Sequence, residues 1–166
     1  MSERKDKLRQ TMQADDAASL AIFKRLTPDQ WNQPVPSEEG ADWKARDVLS
    51  HAAVSEGSQL IVIQRVLAGQ GGVPDDFDLN RYNRRSVQKQ AERTPAELLD
   101  NIARDHAQAL AALEALDDAD LDKSGRHARG DTLTIAEFFQ RITEHRRQHA
   151  EELARQMGIP SDPIHP

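Results

Sequence analysis

The chain contains no cysteine among its 166 residues. A disulfide framework is therefore excluded, and any thiol chemistry must use a thiol supplied from outside the chain. Aromatic residues are also scarce, at 4% of the sequence, so aliphatic side chains and alanine must fill most of the core. The sequence predicts a domain that is held together by packing alone, without covalent cross-links.

Long hydrophobic runs are absent as well. The longest strong apolar stretch, residues 60–63, is interrupted by Gln64, whereas a membrane-spanning helix needs roughly 20 apolar residues. The first seven residues, Met-Ser-Glu-Arg-Lys-Asp-Lys, contain no apolar signal region. We therefore expect a cytoplasmic protein that has no membrane partner.

The sequence has no excess of basic charge. Lys and Arg number 22 and Asp and Glu number 28, which gives a formal net charge of −6. Binding to phosphate groups needs a basic face, so the composition argues against a nucleic-acid partner. The best candidate for a local basic patch is the segment Asn80-Arg-Tyr-Asn-Arg-Arg85.

The features that are present are helical. Apolar residues recur at helical spacing in four long segments, at about residues 2–26, 43–68, 94–116 and 134–157. A shorter helix is predicted at residues 79–92, and no segment has a strand pattern. We predict an all-α four-helix bundle with a short extra helix between helices two and three. Its expected core includes Leu49, Leu60, Ile63, Ile102, Leu113, Phe138 and Ile142.

Helix starts and domain limits can also be read from the sequence. Capping-box patterns occur at Thr94-Pro-Ala-Glu97 and Thr134-Ile-Ala-Glu137. The bundle accounts for residues 1–158 as one domain, and residues 159–166, with three prolines, are expected to form a disordered or extended tail. The long connection between helices two and three permits an up-down-down-up order, but the spacing does not require it.

Two histidines four residues apart, His145 and His149, continue the apolar stripe of the last helix. Neighbours at this spacing share one helix face, so the rings are either hydrogen-bonded core residues or ligands of one metal ion. The Glu that follows the first His in zinc proteases is missing, which excludes that motif. His51, near the start of helix two, is the candidate third ligand, and three protein ligands leave a coordination position open.

The remaining histidines have simpler interpretations. His106, His127 and His165 are expected on the surface, in a loop and in the tail, respectively. Arg146 and Arg147 are placed on the solvated flank of the last helix.

Several acidic residues interrupt the apolar stripes. Asp15 and Asp16 are interpreted as an exposed part of the first helix, with a polar neighbour as the less favoured alternative. Asp105 lies in the middle of a core stripe, where it either lines a pocket or pairs with an inward Arg. Glu56 and Glu144 are candidate partners of the ligand histidines, although a solvated position is favoured for both.

The order and spacing of several motifs are similar to the DinB-like superfamily. The stretch from Trp43 to His51, Trp-Lys-Ala-Arg-Asp-Val-Leu-Ser-His, and the distant pair in His145-Arg-Arg-Gln-His149 resemble it most. Residues 77–83 and 113–121 are also similar to members of this superfamily. The resemblance covers nearly the whole chain.

This resemblance implies a fold, a metal site and a class of chemistry. DinB-like proteins are four-helix bundles that hold a divalent metal, often zinc or nickel, which here assigns His51, His145 and His149 as ligands. It also implies a homodimer, and it matches Asn83 to a family Asn. We therefore take Asn83 and Asp105 as cofactor-binding candidates. Asp47, one turn before His51, is either the acceptor for that imidazole's second N–H or an acid favoured by the helix dipole.

Several members of the superfamily transfer or isomerise small molecules with mycothiol, bacillithiol or glutathione. In its maleylpyruvate isomerase branch a Glu can replace the first His of the pair, so His145 argues against that activity. The resemblance implies a metal-dependent thiol S-transferase that acts on a small electrophile. The alternatives are a non-catalytic bundle that binds a ligand or partner, and a hydrolase that uses metal-bound water.

Overall fold

Four long helices dominate the computed structural model, which describes residues 2–37 and 42–160. They are α1 (Glu3–Phe23), α3 (Ala45–Leu67), α5 (Pro95–Ala115) and α6 (Ile135–Met157). Two shorter helices, α2 (Pro28–Trp31) and α4 (Leu79–Lys89), lie in the connections. The predicted all-α four-helix bundle with a short helix between its second and third long helices is confirmed. None of the helices in the described ranges is both long and apolar enough to cross a membrane.

Helix ends fall close to the predicted positions because the predicted caps form. The Thr94 and Thr134 hydroxyls accept hydrogen bonds from the backbone N–H groups of Glu97 and Glu137, and those two carboxylates accept from the capping residues. Helix α6 ends at Gly158, which has a φ of 65°. This left-handed conformation is available to glycine without steric cost and closes the helix.

Two small antiparallel ribbons were not predicted, because the sequence has no strand pattern at these positions. Strand β1 (Pro34–Val35) pairs with β2 (Trp43–Lys44), and β3 (Ser124–Arg126) pairs with β4 (Thr132–Thr134). Strands of two or three residues are too short to show an alternating pattern. Each ribbon leads directly into a long helix. Residues 161–166 of the predicted tail, which include His165, lie outside the described residues.

Contacts between the helices establish their directions. The Arg25 guanidinium donates to the Pro160 carbonyl at 2.6 Å, and Asp16 pairs with Arg146, so α1 and α6 run parallel. The Lys5 ammonium donates to the Glu114 carbonyl near the far end of α5 at 2.9 Å. Helix α5 is therefore antiparallel to α1.

The second pair of parallel neighbours is α3 and α5. Arg46, at the start of α3, donates to the Arg93 carbonyl just before α5 at 2.7 Å. About two turns further along both helices, the Asn101 amide of α5 donates to the Ala53 carbonyl of α3 at 2.9 Å. Together these contacts give the up-down-down-up order, which the sequence had left open.

The parallel arrangement of α3 and α5 requires a crossover along the length of the bundle. Residues 68–94 make this crossover, and they include α4, which packs against α3. The crossover begins against β3, where the Val73 N–H donates to the Arg126 carbonyl at 2.9 Å. Gly72 has a φ of 92°, and a Cβ there would lie 2.5 Å from that carbonyl oxygen, so this close approach requires glycine.

The core consists of two apolar clusters at different levels of the bundle. One cluster contains Phe23, Leu49, Ile102 and Leu153, and the other contains Met12, Leu60, Leu113 and Phe138. The expected core residues Leu49, Leu60, Ile63, Ile102, Leu113, Phe138 and Ile142 are all buried.

A buried polar layer lies between the clusters, and each long helix contributes one residue to it. The Arg146 guanidinium from α6 is 1% exposed and donates to the carboxylates of Asp16 on α1 and Glu56 on α3. His106 from α5 completes the layer, with its Nδ1 3.3 Å from Oε1 of Glu56.

Three interpretations from the sequence were therefore wrong, since Arg146, Glu56 and His106 are buried rather than solvated. For Asp16 the less favoured alternative is correct, because its carboxylate has a polar neighbour, the Arg146 guanidinium. Each charged side chain finds its counter-charge on a different helix, which a pattern along one helix does not reveal.

We predict that Arg146→Ala strongly destabilises the fold, because it leaves the buried Glu56 carboxylate without its cation. Breaking such a pair costs about 3–5 kcal/mol of unfolding free energy, measurable by urea unfolding with circular dichroism detection. The matched control is Arg147→Ala, because the Arg147 side chain is 31% exposed in its pairs with Asp15 and Glu151. The control should lose about 1 kcal/mol or less, and equal losses in both variants would contradict the role of the layer.

Candidate metal centre

The antiparallel packing of α3 and α6 brings three histidines together. His51 lies in the second turn of α3, while His145 and His149 lie one turn apart on the facing side of α6. One nitrogen from each of the three rings lies within 4.8 Å of the others. The Nε2 atoms of His145 and His149 are 3.0 Å apart. The structure thus brings together all three residues that the sequence proposed as ligands.

The three rings meet edge to face. The ring planes of His145 and His149 are inclined at 84°, and the planes of His51 and His149 at 88°, with centroids 4.4 and 5.0 Å apart. Rings inclined in this way are not stacked face on face, and one nitrogen of each lies close to the nitrogens of the other two.

The donor set fits a borderline divalent ion. Two nitrogens that each lie roughly 2.0–2.1 Å from one ion are separated by about 2.9–3.4 Å for tetrahedral or octahedral angles. The 3.0 Å separation of the His145 and His149 nitrogens falls in that range. The group contains three imidazoles and no carboxylate, a composition that suits zinc or nickel better than calcium or magnesium.

Burial keeps His51 and His145 neutral. It lowers the pKa of His51 to about 3, with smaller contributions from His149 and Arg129. Burial, followed by the neighbouring His149 and His51, also holds the pKa of His145 well below its usual value. Only a neutral imidazole offers a lone pair to a metal, so at neutral pH both rings are in the form that a metal ion requires.

Neighbouring side chains hold the rings in place. The Ser55 hydroxyl, one turn after His51 on α3, makes a long 3.5 Å contact with Nδ1 of His145, the nitrogen that points away from His149. Trp43 packs beside His51, with ring centroids 5.7 Å apart. A carboxylate oxygen of Asp47 accepts the Lys44 backbone N–H at 2.9 Å and caps α3, so its bond to a ligand imidazole stays a prediction.

Three cavities adjoin the histidines, and the third, of about 380 Å³, reaches His145 and His149 and is lined mainly by charged side chains. The first has a volume of about 310 Å³, reaches His51 and His145, and is enclosed by α3, α6, the crossover and the β3–β4 turn. The second has a volume of about 190 Å³ and reaches His51 and His149. Asn83 lines the first and the second, so the predicted cofactor-binding residue is adjacent to the histidines, while its role stays a prediction.

The wall of the 310 Å³ cavity is mostly apolar. Its polar groups include the Tyr82 hydroxyl, which is hydrogen-bonded to Ser58, and the side chains of Arg129 and Arg141.

His127 also faces this cavity. It lies in the predicted loop but is only 8% exposed, and its Nδ1 is 3.2 Å from Oδ1 of Asp131. Burial, together with the positive charge of Arg141, lowers the pKa of His127, although Asp131 opposes this effect.

Asp105 lies elsewhere. It lines a groove between α3 and α5 that none of the three histidines lines. The Asn101 amide donates to its Oδ2 at 3.1 Å, and its partner Arg104 is largely exposed rather than inward. Burial raises the pKa of Asp105. Its cofactor-binding role stays a prediction, for a groove separate from the histidines.

Three residues at the site were missed by sequence reasoning. Ser55 follows His51 by four positions and Arg141 precedes His145 by four, so helical spacing alone could have placed both beside the histidines. Arg129 lies in the β3–β4 turn, where no periodic pattern marks it.

Comparison with protein families gives a match over most of the chain. The model of the DinB superfamily matches residues 5–153. No curated protein matches the chain significantly.

Two solved structures share the fold. YfiT from Bacillus subtilis is described as "a probable metal-dependent hydrolase with an unusual four-helix bundle topology". It is 21% identical, with a TM-score of 0.72 over 96% of this chain and 91% of its own. The colibactin self-resistance protein ClbS, solved in complex with a dsDNA, is 13% identical, with a TM-score of 0.75 over 93% of this chain and 95% of its own.

Proposed function

The chain belongs to the DinB superfamily, and from that premise we propose that it is a divalent-metal enzyme acting on a small molecule. His51, His145 and His149 are the proposed ligands of one zinc or nickel ion. The observation that supports this most directly is the convergence of their nitrogens at the end of a cavity of about 310 Å³.

We further propose that the reaction is the transfer of an external thiol to a small electrophile. A bound divalent ion lowers the pKa of a thiol beside it, which favours the nucleophilic thiolate. The chain has no cysteine of its own, so the thiol must be a low-molecular-weight cofactor. The apolar wall excludes water and holds the electrophile, while Asn83 and Tyr82 offer hydrogen bonds for orientation.

A hydrolase is the second candidate, and the fold shared with YfiT favours it. Hydrolysis needs a group that takes a proton from water. No Asp or Glu is among the described residues that line the 310 Å³ cavity, and His127 is the described base there outside the three histidines. A hydrolase that works in this cavity would therefore depend on His127, whereas thiol transfer would not. Glu144 and Glu152 line a neighbouring cavity that also reaches His145 and His149. A non-catalytic binding bundle is the third candidate.

We predict that His149→Ala abolishes stoichiometric metal binding, because it removes one of three converging nitrogens. Elemental analysis of freshly purified protein should find about one ion per chain in the wild type and almost none in the variant. Added zinc should raise the melting temperature of the wild type only, since a ligand at 100 times its Kd stabilises by about 2.7 kcal/mol.

The control for metal binding is His127→Ala, which removes a nearby imidazole that is not in the group of three. It should retain full metal content. Circular dichroism must show that both variants remain helical. Equal metal content in the wild type and His149→Ala would contradict the proposed metal site and favour the non-catalytic binding bundle over both enzymes.

Thiol dependence separates the two enzymes. The zinc-loaded protein should accelerate the reaction of glutathione or another small thiol with 1-chloro-2,4-dinitrobenzene. In this reaction the sulfur forms a bond to the ring carbon, chloride leaves and the thiol proton goes to solvent. Activity should disappear in His149→Ala and remain in His127→Gln. Hydrolysis of p-nitrophenyl acetate without thiol, lost in His127→Gln, would favour the hydrolase instead.

We also propose a homodimer, on the basis of the family resemblance. Light scattering at micromolar concentration should give about twice the chain mass of 18.6 kDa. A mass near that of one chain would contradict the prediction.

Nucleic-acid binding is not part of the proposed function, although ClbS was solved with a dsDNA. The exposed arginines of α4, Arg81, Arg84 and Arg85, form a small basic patch on a chain of net charge −6. Such a patch is a weak basis for salt-resistant affinity. Measurable binding to duplex DNA at physiological salt would contradict this expectation.

A further inference from the structure

We infer that the molecule bound in the 310 Å³ cavity is a small organic anion, whose charged group pairs with Arg141 and whose body contacts the apolar wall. This inference rests on the proposed function and specifies its substrate class.

The charge of the cavity wall is the first observation. The chain has more acidic than basic residues, 28 against 22. Yet the charged side chains among the described residues that line this cavity are Arg65, Arg129 and Arg141, without one Asp or Glu. A wall of this composition favours a negative ligand over a neutral or positive one.

The arginines differ in what they already bind. Arg65 is committed to the fold, because its Nε donates to the Gly72 carbonyl at 2.9 Å. Arg141 is half-buried, one turn before His145, and makes no ion pair or hydrogen bond with any residue in the described part of the chain. A guanidinium carries five N–H donors in a planar fork that matches a carboxylate or phosphate. Arg141 is thus available to a ligand.

The field of these arginines reaches into the cavity. Burial is the main reason why the pKa of His127, another lining residue, is lowered, and the positive charges of Arg141 and, more weakly, Arg129 lower it further against the opposing effect of Asp131. The same two arginines, together with Arg155, also share the wall of another cavity beside His145 with Glu144 and Glu152. The apolar cavity is therefore the more positive of the two, because its arginines are not offset by a carboxylate among the described lining residues, and it is where an anion gains most.

The rest of the wall limits the body of the ligand. Most of its exposed surface is apolar, and the aliphatic and aromatic side chains there include Val54, Ile61, Val62, Val73, Phe77 and Leu79. A volume of about 310 Å³ is at the lower end of the range for small-molecule sites, roughly 300–1,000 Å³. The ligand is therefore a compact molecule with one anionic end and an apolar body, rather than a sugar or a peptide.

The test compares a matched pair of probes, 3-phenylpropionate and its neutral amide, by calorimetry on the full chain. Metal-free and zinc-loaded protein are both measured, because a metal ion alone can bind a carboxylate. We expect the acid to bind at least roughly tenfold more tightly than the amide in both forms, because hydrogen bonds between a guanidinium and a carboxylate are charge-assisted and stronger than those to a neutral amide. Arg141→Gln should remove this preference while leaving the zinc content unchanged.

The control is Arg155→Gln, on the same helix but outside the lining of the apolar cavity; it should keep the full preference. Equal affinity for acid and amide, no detectable binding of the acid, or an unchanged preference in Arg141→Gln would overturn the inference. Anion preference in a protein that binds no zinc would leave the inference standing and overturn the proposed function. A protein that binds zinc but does not prefer the acid would overturn the inference and leave the proposed function standing.

Discussion

The ion cluster around Arg146 is the constraint on which the rest of the molecule depends. Asp16, Glu56, His106 and Arg146 each come from a different long helix and meet at one level between two apolar clusters. A buried charge that loses its partner costs several kcal/mol, so a helix that slid by one turn would be strongly disfavoured. Apolar side chains tolerate such a shift far better, because one aliphatic contact substitutes for another. The cluster therefore sets the register of the bundle.

That register also sets the geometry of the histidines. Glu56 lies five positions after His51, and Arg146 directly follows His145, so the pair that fixes α3 against α6 also aligns their imidazoles.

The up-down-down-up order accounts for one wall of the cavity beside the histidines. Because α3 and α5 are parallel neighbours, the chain must return along the bundle, and residues 68–94 cross over beside the histidines. A topological requirement of the fold thus provides one wall of the cavity.

Features that depend on a single helix could be predicted from the sequence. Features that depend on how two helices pack against each other could not. Caps such as Thr94 and Thr134, the apolar stripes, and the face shared by His145 and His149 are local properties. The inward positions of Arg146 and Glu56 could not be predicted, because a charge is tolerated in a core only when its partner arrives from elsewhere. His51 was placed by resemblance rather than by spacing. The direction of α5 required tertiary contacts, since its connection fits more than one order.

Two groups of inward-facing charged side chains differ in what they bind. Acidic side chains and Arg146 neutralise one another in the polar layer, where the bonds are internal and leave little capacity for a ligand. The described lining of the 310 Å³ cavity contains three arginines and no Asp or Glu, and Arg141 keeps its donors available. Beside them burial keeps His51 and His145 neutral, so these imidazoles keep their lone pairs. The imidazoles are the proposed ligands of a cation and Arg141 is the proposed partner of an anion, while the chain has no thiol and the described wall of that cavity has no carboxylate base. These features are the reason for proposing a nucleophile that is brought by a second small molecule and an electrophile that carries negative charge.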